Sequence, residues 1–197
     1  FTSFLDDQAD GIDSNQDATS TSPAPADWMR IDFFNALEPS ILRNTHIRYG
    51  GQGYTNPNGY PIYSGAITIQ NASPVISDSL FDSNKAIAIY VKGDSHPVLA
   101  RNSIRNTIGQ NGYGIWLADA SSTADIIGNT LENNTVGIIS ASASPVPLVV
   151  RDNLFVNNQK NGEFNGYANF NLDSSGNKDA KGKGGFSIQI LVSSGQQ

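Results

Sequence analysis

The chain has 197 residues, a formal charge of −6, only 15% charged residues and no cysteine. An acidic balance excludes a nucleic-acid binder, which needs a basic patch. The missing cysteines exclude disulfides, thiol catalysis and Cys-ligated zinc, and no run approaches the 18 or so apolar residues needed to insert into a membrane.

Residues 1–4 read as a strand, and the chain as one domain over 1–197, a fragment of a longer exported protein whose other domains would be its partners. Residues 5–27 are an acidic loop in which Asp13-Ser-Asn15-Gln-Asp17 has the D-x-N-x-D spacing of calcium loops. At that spacing alternate side chains turn toward one hard cation, and the carbonyl of Thr19 falls where an EF-hand supplies a backbone oxygen. Ala18 stands where an EF-hand has Gly, and Ala24 where it has the closing Glu. Asp6, Asp7 or Asp10 would therefore have to complete the shell. Calcium is the expected cofactor, with Asp6, Asp7, Asp10, Asp13, Asn15, Asp17 and Thr19 as candidate ligands; the alternative is a solvated acidic loop.

Trp28–Phe34 alternates with period 2 and predicts a strand, and residues 41–48 complete that coil. Residues 50–64 are an insertion rich in Gly and Asn-Pro turn chemistry that carries Tyr54, Tyr60 and Tyr63. Then one phrase recurs: Ser73-Pro-Val-Ile-Ser-Asp-Ser-Leu-Phe-Asp-Ser-Asn84, and next His96-Pro-Val-Leu-Ala-Arg-Asn-Ser-Ile-Arg-Asn-Thr107. Further copies stand at 123–134 and 146–158, and a looser one at 38–50. The apolar anchors Ile47, Phe81, Ile104, Leu131 and Phe155 are spaced 34, 23, 27 and 24 residues apart. Five residues before each stands another aliphatic (Leu42, Ile76, Leu99, Ile126, Val150); two before stands Thr45, Ser79, Asn102, Asn129 or Asn153. After each comes a second apolar segment: Gly65–Ile69, Ala86–Ile89, Gly114–Leu117, Gly137–Ile139. A fixed minimum period with variable insertions predicts a coil. Strands this short must pair in parallel with the equivalent strands of neighbouring coils, about 4.8 Å away, and the Asn column can form an amide ladder. Asn157–Gly166 reads as a further insertion, 167–172 as a strand, 173–185 as a flexible loop and 186–192 as a capping strand before a loose tail.

The pattern resembles the right-handed parallel β-helix proteins, the pectate-lyase-like and NosD-like repeat solenoids, over roughly residues 28–172. The fold class implied is all-β: a single-stranded solenoid of about six coils, three short strands per coil, with loop insertions at one corner. The acidic loop is also similar to Asp/Asn-rich loops that precede Pro-Ala-Pro-x-Asp-Trp in large secreted β-helix proteins. The resemblance places the chain outside the cell or at its surface.

This fold serves many activities, so function has to come from the site. Lyases on it need a carboxylate-held calcium and an Arg or Lys base on an outward strand face. The outward positions read from the apolar segments are Thr68, Ala88, Trp116 and Ile139, which carry neither acid nor base. His46 and His96 lack identifiable partners, and no G-x-S-x-G or H-E-x-x-H motif is present. The reading is a non-catalytic structural or adhesive module. Tyr54, Tyr60, Tyr63, Tyr113 and Trp116 are candidate stacking platforms for polysaccharide or a cell-surface glycan, against the simpler role of packing the insertion onto the coil. The alternatives are a fragment of a polysaccharide lyase or glycoside hydrolase, and a self-assembling fibre or sheath.

Overall fold

The computed structural model describes residues 1–7, 11–13, 15–18, 20–38, 40–51, 53–55, 57–58, 61–167, 171–180 and 186–191. Of these, residues 54–55, 61–62, 108, 110, 166–167 and 187–191 are described by backbone alone. Among the described residues there is no helix. Turn 1 comprises β1 (Ile31–Phe34), β2 (Ile41–Arg43) and β3 (His46–Arg48). A small antiparallel hairpin follows, β4 (Tyr54–Thr55) and β5 (Pro61–Ile62). Turn 2 is β6 (Ile67–Gln70), β7 (Val75–Ser77) and β8 (Leu80–Asp82), and turn 3 is β9 (Lys85–Lys92), β10 (Val98–Ala100) and β11 (Ser103–Arg105). Turn 4 is β12 (Ile108–Leu117), β13 (Asp125–Ile127) and β14 (Thr130–Glu132), and turn 5 is β15 (Val136–Ser140), β16 (Leu148–Arg151) and β17 (Leu154–Val156). Turn 6 is β18 (Lys160–Tyr167), β19 (Leu172–Ser175) and β20 (Lys178–Asp179), and β21 (Phe186–Leu191) begins another rung.

Equivalent strands pair in parallel and build three sheets. Sheet A has the order β1-β6-β9-β12-β15-β18-β21, sheet B β2-β7-β10-β13-β16-β19, and sheet C β3-β8-β11-β14-β17-β20. Four turns, the second to the fifth, have a neighbour on both sides in every sheet. About six such coils were expected; the difference lies at the ends, where β2 and β3 on one side and β19 and β20 on the other are sheet edges.

The anchors stack as predicted. Ile47, Phe81, Ile104, Leu131 and Phe155 are in register down sheet C and fully buried. Ile67, Ile89, Ile115 and Ile138 do the same in sheet A. Each such side chain contributes about 1.5–3 kcal/mol by leaving water.

Two corners repeat a common device. Between sheets B and C the chain turns through a left-handed residue, Asn44, Asp78, Arg101, Gly128, Asp152 and Gly176 in succession. The next residue points inward. There Asn102 Nδ2 donates to Asn129 Oδ1 at 3.1 Å, Asn129 Nδ2 to Asn153 Oδ1 at 3.0 Å, and Asn153 Nδ2 to Asn177 Oδ1 at 3.0 Å. Each amide also donates to a carbonyl in the preceding turn, as Asn129 does to Leu99 at 2.8 Å. A second ladder runs down the corner between sheets C and A, where Asn134 Nδ2 donates to Asn158 Oδ1 at 3.1 Å and Asn84 Nδ2 to the Ile47 carbonyl at 3.0 Å.

The structure corrects four readings. Residues 173–185 are not one flexible loop: β19 and β20 form a further pair of rungs, and Asn177 extends the first ladder. Asn157–Gly166 is not an insertion, because β18 runs through it. Residues 1–4 form no strand, although Phe1 hydrogen-bonds His46 and Arg48 along the edge of β3. Ala88 is a core residue; β9 is shifted by two positions relative to the sequence alignment, so Tyr90 takes the outward place beside Thr68 and Trp116. β21 is one more parallel rung of sheet A on β18; residues 168–170, 181–185 and the tail 193–197 lie outside the described residues.

Candidate functional site

The outward column of sheet A reads Asp32, Thr68, Tyr90, Trp116, Ile139 and Glu163, one residue per turn. Trp116 lies at the centre of an aromatic patch. Its ring centroid is 5.1 Å from Tyr90, 5.3 Å from Tyr63 edge-on, and 5.5 Å from Tyr113 edge-on. Tyr63 comes from the insertion after turn 1 and reaches Trp116 in turn 4, so the insertion lies along the solenoid; Tyr63 stays 42% exposed. Lys92 stands over the Tyr90 ring at 5.9 Å. Burial, with Asp119 and Tyr63 adding to it, pushes the Tyr90 phenol up; burial and Glu163 do the same to Tyr113. Tyr113 donates its hydroxyl to Asn111 Oδ1 at 3.2 Å.

Beside the patch a small groove of 210 Å³ runs past Arg30, Asp32, Tyr63, Thr68, Gln70 and Lys92. That is below the roughly 300 Å³ at which enclosed ligand pockets begin, so the groove suits a molecule lying across the surface. Its acids are tied up: Asp32 accepts from Arg30 at 2.7 Å, and further along the face Glu163 accepts from Lys160 at 2.8 Å. The hydrogen bond from Lys160 holds the Glu163 carboxyl below its ordinary value. Asp32 and Glu163 are five rungs apart, roughly 24 Å at about 4.8 Å per rung. Paired glycosidase carboxylates stand about 5–9.5 Å apart, so these two cannot work together on one bond.

Of the other predicted sugar contacts, the Tyr54 side chain and Tyr60 lie outside the described residues. Tyr90 went unnoticed in the sequence because of the two-residue shift; the match of Ala88-Ile-Tyr-Val91 with Gly114-Ile-Trp-Leu117 is the signal that identifies it.

The acidic loop meets the solenoid where sheet C passes to sheet A: Ala26 and Asp27 amides both donate to the Tyr49 carbonyl, and Trp28 Nε1 donates to the Arg48 carbonyl at 2.6 Å. Within the loop, carboxylate oxygens of Asp7, Asp13 and Asp17 lie within 4.8 Å of one another. Oxygens on opposite sides of one calcium ion at about 2.4 Å would be separated by that distance. Asp13 accepts the amides of Asp17 and Ala18 at 3.0 and 2.8 Å. Asn15 Nδ2 donates to Thr21 Oγ1 at 2.8 Å, which leaves Asn15 Oδ1 buried without a partner, as is one oxygen of Asp17. These are hard oxygen donors and fit calcium. Asp6 is placed elsewhere: it accepts the Thr2 hydroxyl and pairs with Arg48 at 3.0 Å, its side chain 1% exposed. Asp10 and Thr19 lie outside the described residues.

A family model described as the right handed beta helix region matches residues 39–179. The chain belongs to the right-handed β-helix family. Compared with curated proteins and with solved structures, this β-helix has no match in either. The family match covers turns 1 to 6 from β2 onward, and leaves out the acidic loop.

Proposed function

We propose that this β-helix is a non-catalytic module of an extracellular or cell-surface protein that binds polysaccharide through sheet A and uses calcium to hold its acidic loop against the solenoid. The observation that carries this reading is the patch of Tyr63, Tyr90, Tyr113 and Trp116 beside a small groove. Amphipathic rings of this kind offer flat apolar faces to sugar rings. The ion-paired acids of the same face argue for binding over catalysis. Polysaccharide pull-down and titration calorimetry test the proposal: Trp116→Ala should weaken retention at least tenfold, and binding unchanged in Trp116→Ala and Tyr63→Ala would refute the aromatic patch as the contact.

A second reading, a fibre or sheath unit, is supported by the first turn. Phe34, Leu37 and Ile41 are 60%, 98% and 64% exposed beside the edge of sheets A and B that no described strand covers. An open edge of this kind invites pairing with another chain. Light scattering that rises with protein concentration, and falls in Ile41→Lys, is the outcome this reading requires.

A further inference from the structure

We propose that the corner between sheets C and A, from turn 3 to turn 6, is a second ligand site, built for an uncharged, hydroxyl-rich chain: a linear neutral polysaccharide lying parallel to the solenoid axis. It rests on the carbohydrate reading above, but assigns the sugar a class and a different set of residues.

A groove of 390 Å³ opens at this corner, lined by Thr107, Asn133, Thr135, Asn157 and Gln159 among others. The groove is open rather than enclosed, as a chain lying along the surface requires. None of its lining residues carries a charge, so it offers no countercharge to a phosphate, a uronate or a metal ion. An amide side chain presents two donors and an acceptor in one plane, and a hydroxyl both donates and accepts. Such a lining is matched by neighbouring sugar hydroxyls, which also do both.

Asn134 belongs to the ladder and Asn133 Nδ2 donates to Asn106 Oδ1 at 3.2 Å, but two of the lining amides are available. Asn157 and Gln159 are exposed and their side chains make no hydrogen bond among the described residues. At the floor, Thr107 is 1% exposed and its hydroxyl has no partner. Buried polar groups in folded proteins are normally paired, so the floor holds polar capacity that the protein leaves unused. Asn133 and Asn157 occupy the same left-handed place in successive turns, with φ of 53° and 54°. Rungs about 4.8 Å apart repeat these groups along the axis, close to the advance of one sugar ring in an extended chain.

The test is titration calorimetry of the full chain with neutral hexasaccharides (β-1,4-glucan, α-1,4-glucan, β-1,4-xylan and β-1,4-mannan) and with hexagalacturonate. The expected result is binding of at least one neutral hexasaccharide, none of the uronate, and a loss of at least tenfold in Asn157→Gly/Gln159→Ala. Glycine keeps the left-handed backbone there, and an unchanged melting temperature shows that the fold is retained. Thr107→Val should keep or raise the melting temperature while weakening the sugar. Binding of the uronate alone, no binding of any neutral hexasaccharide, or wild-type affinity in the double variant overturns the proposal. Affinity lost in Trp116→Ala but intact in the double variant leaves the sheet A face as the site and removes the corner; the converse keeps the corner and removes the aromatic patch.

Discussion

Asn129 is buried at the centre of the interior amide ladder. Its amide donates to the Leu99 carbonyl and to Asn153 Oδ1, and its carbonyl accepts from the backbone and side chain of Asn102, all in the interior. Truncation leaves several buried groups unpaired at about 1–3 kcal/mol each, so Asn129→Ala should lose at least about 3 kcal/mol in urea unfolding. Asp82 acts through pH. Burial pushes its carboxyl up, but hydrogen bonds from Asn106 and Arg105 outweigh that and hold it below the ordinary value. A carboxyl lowered on folding contributes stability above the unfolded value of about 3.9, and that contribution is lost as pH falls through the folded value. Urea midpoints should therefore drop below about pH 4, and Asp82→Asn should flatten part of that slope; a parallel pH curve in the variant would remove Asp82 from the account. Tyr90 has the opposite sign: burial raises its phenol, so its contribution is present below the unfolded value of about 10 and is lost as pH rises through the folded value, and phenolate absorbance should show it titrating late.

At the scale of the strand, the repeat works because small residues stand where one rung presses on the next. A Cβ at Gly137 would stand 2.5 Å from the Asn161 carbonyl oxygen and 3.1 Å from the Phe155 ring. Backbone and a buried ring cannot both give way, so Gly137→Ala should destabilise by about 1–3 kcal/mol. Leu131→Ala in the neighbouring stack should lose about 2–5 kcal/mol by leaving a cavity. Thermal or urea unfolding reads both; values within about 0.5 kcal/mol of wild type would place these positions at the surface. The residues that follow the anchors, Arg48, Asp82, Arg105 and Glu132, are in register and alternate in charge. Among them Arg105 and Asp82 form an ion pair, 3.1 Å apart. Arg48 instead reaches Asp6, giving up a cross-strand neighbour to tether the acidic loop.

For the whole molecule, that tether and the cluster of Asp7, Asp13 and Asp17 lie at one end of the rim that also carries the insertion hairpin and the neutral corner groove. If calcium holds the loop, saturating ion should raise the melting temperature by about 5 °C or more, the shift expected from roughly 2–3 kcal/mol of linkage in a chain of this size. EDTA should reverse the shift, and Asp13→Ala should abolish it without changing sheet A binding. Equal melting curves with and without EDTA would leave the loop merely acidic.

The anchors, the aliphatics five residues before them and the Asn column were legible in the sequence because a solenoid writes its contacts as periodicity: residues that touch are those one turn apart. Where the period was broken the sequence misled. β9 and β12 are longer than their neighbours and β12 carries a register shift before Tyr113, so counting residues placed Ala88 outward and hid Tyr90. Asn177 was hidden because its copy of the phrase, Leu172-Asp-Ser-Ser-Gly-Asn-Lys-Asp179, replaces the apolar anchor by Asp179. The amino-acid order alone determined that this chain coils, which side chains fill it and which loop gathers acids. The tertiary structure alone decided that Tyr63 crosses turns to meet Trp116, that Asp6 leaves its acidic neighbours for Arg48, and that uncharged amides from separate turns share one groove, because those contacts join residues whose spacing obeys no period.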